Sequence, residues 1–151
     1  MIEPDDVIDP GRVSALRRDA IGKLGVIYDP EVVQKIVDCI VKKVRLGTVG
    51  DGITYKELVT GSGVPSWVGY RGLLDHVMVL VSLQSYDDHE VLLSALTRTG
   101  KDVPLPTSAF CVFLEELGLV SSRENRDDCL EMWDHHWKKA ISHYDSTTRH
   151  R

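Results

Sequence analysis

Apolar positions recur along most of this chain at the three-to-four-residue spacing of a helix face buried against other elements. Val13, Leu16, Ala20 and Leu24 follow Asp9-Pro10, a capping residue and a first-turn proline, and the pattern stops at Gly25. The same start signal, Asp29-Pro30, precedes Val32, Val33, Ile36, Val37, Ile40, Val41 and Val44, and Gly47 closes that run. Its many β-branched residues favour strands locally, but its length and period predict a long buried helix. Lys42, Lys43 and Arg45 crowd its end, where cations complement the helix dipole.

After the glycine-rich break 47–52, Thr54 and Glu57 have the spacing of a capping box ahead of Leu58 and Val59. Gly61-Ser62-Gly63 ends this short helix, and Val64-Pro65-Ser66 predicts a second one that carries Val68, Leu73, Val77 and Leu80 inward. Short helix, glycine turn, second helix is the order of a helix-turn-helix. The polar break Asp87-Asp88-His89-Glu90 precedes Val91 to Thr97, a run suited to a buried strand, and Thr99 to Asp102 supplies turn chemistry. A strand and turn here predict a wing. Thr107 is placed to cap a helix with Phe110, Phe113, Leu114 and Leu117 before Gly118. Ser121 or Ser122 opens the last helix, whose predicted stripe is Leu130, Trp133, Trp137, Ile141 and Tyr144.

The fold class predicted is mainly α: a winged helix-turn-helix core over 53–101, flanking N- and C-terminal helices and a short β wing. The chain reads as one domain with frayed tails at 1–8 and 146–151. At 151 residues and 42% hydrophobic, such a chain buries roughly two thirds of its unfolded surface and needs no disulfide or metal. Its longest apolar run, Val77 to Val81, is far short of the ~20 residues of a membrane span. The acidic start Glu3-Pro4-Asp5-Asp6 is unlike a secretory signal, so the expected place is the cytoplasm, away from membranes. Cys39, Cys111 and Cys129 are odd in number, far apart in sequence and set in apolar helical patterns, which predicts reduced core thiols.

The candidate chemistry lies in 53–74. A second helix entering a DNA groove would present Ser66, Trp67, Tyr70 and Arg71, with Arg98 and Lys101 on the wing. Arginine pairs with guanine, serine binds phosphate, and aromatics meet thymine methyl groups or sugars. Charge opposes this reading. Residues 51–101 carry four Lys or Arg (Lys56, Arg71, Arg98, Lys101) against six Asp or Glu (Asp51, Glu57, Asp75, Asp87, Asp88, Glu90), whereas phosphate contacts dominate DNA affinity.

Ile53-Thr54-Tyr55-Lys56-Glu57-Leu58-Val59, Gly63-Val64-Pro65, Val68-Gly69 and Leu73 together resemble the winged-helix half of the alkylguanine DNA alkyltransferases and alkyltransferase-like proteins. They are also similar to small uncharacterised bacterial proteins that open with an Ile-Thr-Tyr-x-Glu-Leu phrase. In the alkyltransferases this helix pair grips the minor groove, an arginine helps extrude the damaged base, and a cysteine in a Pro-Cys-His-Arg motif accepts the alkyl group. Here Ser66 stands before Trp67-Val68-Gly69, and Leu93 to Arg98 contains no Pro-Cys-His-Arg. The resemblance, which covers about a third of the chain, therefore implies a winged-helix fold without alkyl transfer, because the thiol nucleophile is missing.

Other candidate chemistry is sparse. Cys129, His136 and His143 share a helix face at seven-residue intervals, about 10 Å per step and too far to share one ion. The histidines beside the tryptophan stripe and the acidic loop 87–90 are expected to be solvated. No cofactor, metal site or catalytic residue is predicted. The expected protein is a non-catalytic DNA-binding or regulatory module, and the alternative partner is another protein held as by an inhibitor or adaptor.

Overall fold

Backbone groups left open at helix ends decide where this chain turns, and side chains next to prolines satisfy them. In the computed structural model, which describes residues 8–149 except Arg71, Lys101 and Pro104, and backbone alone for 146–149, Asp9 accepts from the Gly11 amide at 3.0 Å. It opens α1, Pro10–Leu24. Asp29 accepts from the Glu31 amide at 2.9 Å and opens α2, Pro30–Leu46. Six aliphatic residues of α2, Val32, Val33, Ile36, Val37, Ile40 and Val44, are buried. Each contributes roughly 1.5–3 kcal/mol on burial, against at most ~0.7 kcal/mol of helix-propensity cost for a β-branched residue. Packing wins.

The capping box forms as its spacing predicts. The Glu57 amide donates to Thr54 Oγ1 at 3.2 Å, and the Thr54 amide donates to Glu57 Oε1 at 3.4 Å. These bonds open α3, Tyr55–Ser62, directly after the two-residue strand β1, Ile53–Thr54. Burial alone would raise the Glu57 carboxyl, but bonds from Thr54 and the charge of Lys43, 3.6 Å away, hold it below its ordinary range. The Lys43–Glu57 pair also ties α2 to α3.

The second helix starts later than the sequence pattern predicts. Ser66–Gly69 is a single tight 3-10 turn, and Gly72, in left-handed backbone at φ 74°, caps α4, Leu73–His89. A continuous helix from Pro65 would have to pass through Gly72 in a conformation that ends helices rather than extends them. Leu74, Val77, Met78, Leu80, Val81 and Leu83 of α4 are buried, and they lie around the helix rather than along one stripe. It is a central helix.

The predicted strand 91–97 is also corrected. Leu93–Leu96 winds as a 3-10 turn, and only Thr97–Arg98 is extended, forming β2. Val91, Leu92, Leu93, Ala95, Leu96 and Thr97 are all buried, so the run has no solvent face on which a pleated strand could alternate. β2 pairs with β1 in parallel, Ile53 opposite Thr97 and Thr54 opposite Arg98. The two described strands therefore make a cross-link between distant segments and not a hairpin, which requires antiparallel strands.

Two buried serines fix the chain reversal after α4. Ser85 Oγ donates to the Val91 carbonyl at 2.5 Å and accepts from the Leu93 amide at 3.3 Å. Ser82 Oγ donates to Ser94 Oγ at 2.6 Å and accepts from the Ser94 amide at 2.8 Å. Thr107 caps α5, Ser108–Glu116, as expected, by accepting from the Phe110 amide at 3.2 Å.

The last helix, α6, spans Arg126–Arg149. It begins after Asn125, whose side chain accepts from the Asp128 amide at 3.2 Å, and not at Ser121 or Ser122. Ser122 instead holds a turn, accepting from the Glu124 amide. The buried residues of α6 include Cys129, Met132, His136, Ala140 and Tyr144; Tyr144 is buried as predicted, but from Cys129 to Ala140 the inward stripe runs one position before the predicted one: Leu130 is 45% exposed, and Trp133, Trp137 and Ile141 are half-buried. Trp133 donates to the Ala95 carbonyl at 2.9 Å and its ring lies 5.5 Å from that of Trp137. The helix persists through 149 where a frayed tail was expected, and residues 150–151 lie outside the described residues. Of the predicted N-terminal tail, 1–7 lie outside them too, but Ile8 is buried and its amide donates to Tyr86 Oη at 3.1 Å.

The apolar interior has two parts. One joins α2, α3, most of α4 and the far end of α6; the other joins Ile8, Val13, Leu83, Leu92, α5 and the start of α6. No helix among the described residues is long and apolar enough to cross a membrane.

Ser85→Ala removes the partner of a buried amide and a buried carbonyl. It is expected to lower unfolding free energy by roughly 1–3 kcal/mol, read as an earlier urea midpoint with an unchanged slope.

Candidate binding cleft

The late start of α4 opens a cleft of about 490 Å³ between α3, the 66–72 turn and the first turn of α4. Lys56, Val59 and Thr60 line one wall, Gly69 and Tyr70 another, and Leu74, Asp75 and Tyr55 the floor, with Thr99 at one end. Its polar centre is a hydrogen bond from Tyr55 Oη to Asp75 Oδ1, 2.8 Å. Asp75 lies in the first turn of α4, where the helix dipole favours an anion. Burial, then the Asp75 charge and its hydrogen bond, push the Tyr55 hydroxyl far above its ordinary value, so it remains a donor. Tyr55 and Asp75 also border a small void of about 30 Å³ beside Phe110 and Phe113.

Of the six residues singled out from the sequence, Tyr70 lines this cleft and is 63% exposed. Ser66 is exposed on the 3-10 turn, and Trp67 beside it is half-buried against the core. Arg71 and Lys101 lie outside the described residues. Arg98 points elsewhere: its guanidinium donates to the carbonyls of Gly100 at 3.0 Å, Asp51 at 2.9 Å and Val103. It staples the segment before β1 to the loop after β2. Gly52, at φ 123°, lets the backbone pass beneath that side chain; a Cβ there would stand 3.1 Å from Arg98 Cδ and 3.0 Å from Leu105 Cδ1.

Tyr55 and Asp75, which form the floor, were not singled out. Twenty residues separate them, and Asp75 becomes a first-turn residue only once Gly72 is read as the cap. The histidines differ from expectation as well. His136 is buried at 3% exposure and His135 is half-buried, because the inward stripe of α6 passes through 136. Among the described residues, no group of three His, Cys, Asp or Glu side chains is arranged to hold a metal ion.

The chain matches no protein-family model, and no curated protein or solved structure is similar to it.

Two outcomes test this geometry. Arg98→Ala is expected to cost roughly 1–3 kcal/mol of stability, because three carbonyls lose a charged donor; an exposed arginine without such bonds would change it by no more than ~0.5 kcal/mol. Tyr55 ionises near its ordinary value of 10.0 when unfolded but resists ionisation when folded. The stability it contributes is thus fully present below that pH and is lost as pH rises above it. Urea midpoints should fall less between about pH 9 and pH 11 in Tyr55→Phe than in the parent.

Proposed function

We propose that this protein is a non-catalytic binding module that uses the helix-turn-helix frame of α3, the 66–72 turn and α4 to hold a partner protein, as an inhibitor or adaptor would. The observation that carries this reading is the cleft itself: an aliphatic and aromatic wall, an exposed tyrosine at the rim and a carboxylate on the floor. An apolar pocket with few convergent polar groups is the usual form of a recognition site. The partner segment suited to it inserts one large apolar side chain and sets a lysine or arginine beside Asp75. The formal net charge of −5 favours a basic partner.

A winged-helix reading with DNA as partner draws on the same helix pair and on the motif resemblance. Two features count against it. The middle of α4 is buried among other elements and its exposed end carries Asp87 and Asp88, which repel phosphate, and Arg98 is held by three carbonyls. Backbone phosphates supply most of the affinity of a DNA-binding protein, and an acidic surface offers them little.

Selection of a randomised peptide library on the intact protein tests the proposal. Enriched peptides are expected to pair an aromatic or large aliphatic residue with a lysine or arginine, and to lose at least tenfold in affinity on Tyr70→Ala and Asp75→Asn, about 1.4 kcal/mol or more. Enrichment indifferent to both substitutions overturns the cleft as the site. Salt-sensitive binding to random duplex DNA, with no peptide enriched, overturns the protein-binding reading in favour of the nucleic-acid one.

A further inference from the structure

Cys111 and Cys129 are 18 positions apart in the chain and were read from the sequence as unrelated core thiols. The fold brings them together. Cys111 sits on α5 and Cys129 in the first turn of α6, both buried in the second apolar core, where the Cys111 thiol is near enough to act on that of Cys129. Both are free. Arg126 Nη1 donates to Cys111 Sγ at 3.6 Å, and Cys129 Sγ donates to the Arg123 carbonyl at 3.9 Å. Arg126 itself is exposed. A guanidinium on an exposed residue therefore reaches one sulfur of a buried pair that shares one core.

We propose that Cys111 and Cys129 form a reversible dithiol–disulfide site oxidised by hydrogen peroxide, with Cys111 as the attacking sulfur and Cys129 as the resolving one. The assignment follows from the asymmetry of the pair. Arg126 hydrogen-bonds the Cys111 sulfur directly, whereas it acts on Cys129 only through its charge. Burial, with the neighbouring Cys111 thiol, pushes Cys129 up to about 12, so it keeps its proton until the second step.

In the first step Cys111 loses its proton to solvent and its thiolate attacks one peroxide oxygen. The O–O bond breaks, hydroxide leaves and takes up a proton as water, and Cys111 carries a sulfenic acid. In the second step Cys129 attacks the sulfenic sulfur, the S–O bond breaks, and hydroxide departs with the Cys129 proton as water. Two thiols have given up two electrons and two protons, and one peroxide has become two waters. Burial of both sulfurs, Cys111 at 3% exposure and Cys129 at 0%, favours a small oxidant: hydrogen peroxide is scarcely larger than water, and a bulky alkyl hydroperoxide is expected to react more slowly. The third thiol, Cys39, has no cysteine partner and is half-buried at α2, so it offers an internal comparison. Nothing in this proposal depends on the reading of the cleft.

The test treats the folded parent protein and Cys39→Ser with hydrogen peroxide, followed by intact mass and a peptide map without reductant. The expected product is a loss of two hydrogens, one cross-linked peptide pair containing Cys111 and Cys129, full reversal by dithiothreitol and a higher melting temperature of the oxidised form. Arg126→Ala should slow the reaction several-fold and Arg126→Lys less so. Cumene hydroperoxide should oxidise the pair more slowly. In Cys129→Ser, dimedone should trap a sulfenic acid on Cys111. Modification confined to Cys39, a Cys111 sulfinic acid with Cys129 still open to alkylation after unfolding, or no change of mass overturns the proposal.

Discussion

A helix that is apolar on every side is stable only when protein surrounds it, and α4 is such a helix over its middle turns, Val77 to Leu83. Around it α1, α2, the 3-10 turn 93–96 and the turn 66–69 close the faces that a surface helix would leave to water. This requirement explains features that no local propensity explains. The run Val91 to Thr97 cannot lie at the surface as a strand because every residue in it is needed as interior. The serines on α4 exist in an apolar setting because the reversal after His89 carries buried amides and carbonyls that need partners, and an unpaired buried group costs more than an ordinary hydrogen bond contributes.

The ends of α4 also decide where the molecule can interact. Enclosure takes up the middle of α4, so it reaches the surface mainly at its ends: the first turn, released by Gly72, and the last, where Asp87, Asp88 and His89 are exposed. In the first turn Asp75 combines two stabilising circumstances for a carboxylate, a helix N-terminus and the hydrogen bond from the Tyr55 hydroxyl, beside an apolar wall. The residual capacity of Asp75 to accept a hydrogen bond is what a bound lysine or arginine would use. The cleft proposed as the binding site is thus a by-product of how the central helix is capped.

Four helix starts were legible in the sequence because a side chain next to the first turn does the capping; the fifth such start, at Asn125, was masked by the nearer-looking caps Ser121 and Ser122. Asp9-Pro10, Asp29-Pro30, Thr54 with Glu57, and Thr107 each mark a boundary that the structure keeps, because capping is settled within four residues. Boundaries set by tertiary demand were not legible. Gly72 looks like any glycine until the helix after it is known to be enclosed, and the 91–97 run has the composition of a strand and also of a buried turn. On α6 the tryptophans drew attention as the largest apolar groups, yet the inward line passes through Cys129, Met132, His136 and Ala140. Large rings reach the core from the flank of a helix, while small side chains let the backbone approach it. The contact between Tyr55 and Asp75, and that between Cys111 and Cys129, depend on how separate elements dock, so neither has a local signal.

The two apolar cores bear on how separate the cleft and the thiol pair are. The cleft belongs to the first core and the thiols to the second, and α4 supplies most of its buried side chains to the first and Leu83 to the second. A covalent link between α5 and α6 would constrain segments that meet in the second core. Close-packed interiors transmit strain only through elements that have a second arrangement available, and a helix enclosed over its middle turns has little room for one. Oxidation at Cys111 and Cys129 should therefore stabilise the α5–α6 half, and it has a route to the cleft at the small void where Asp75 and Tyr55 meet Phe110 and Phe113. Coupling through α4 itself would require the helix to shift along its axis, which the Ser82 and Ser85 bonds to 91–94 oppose.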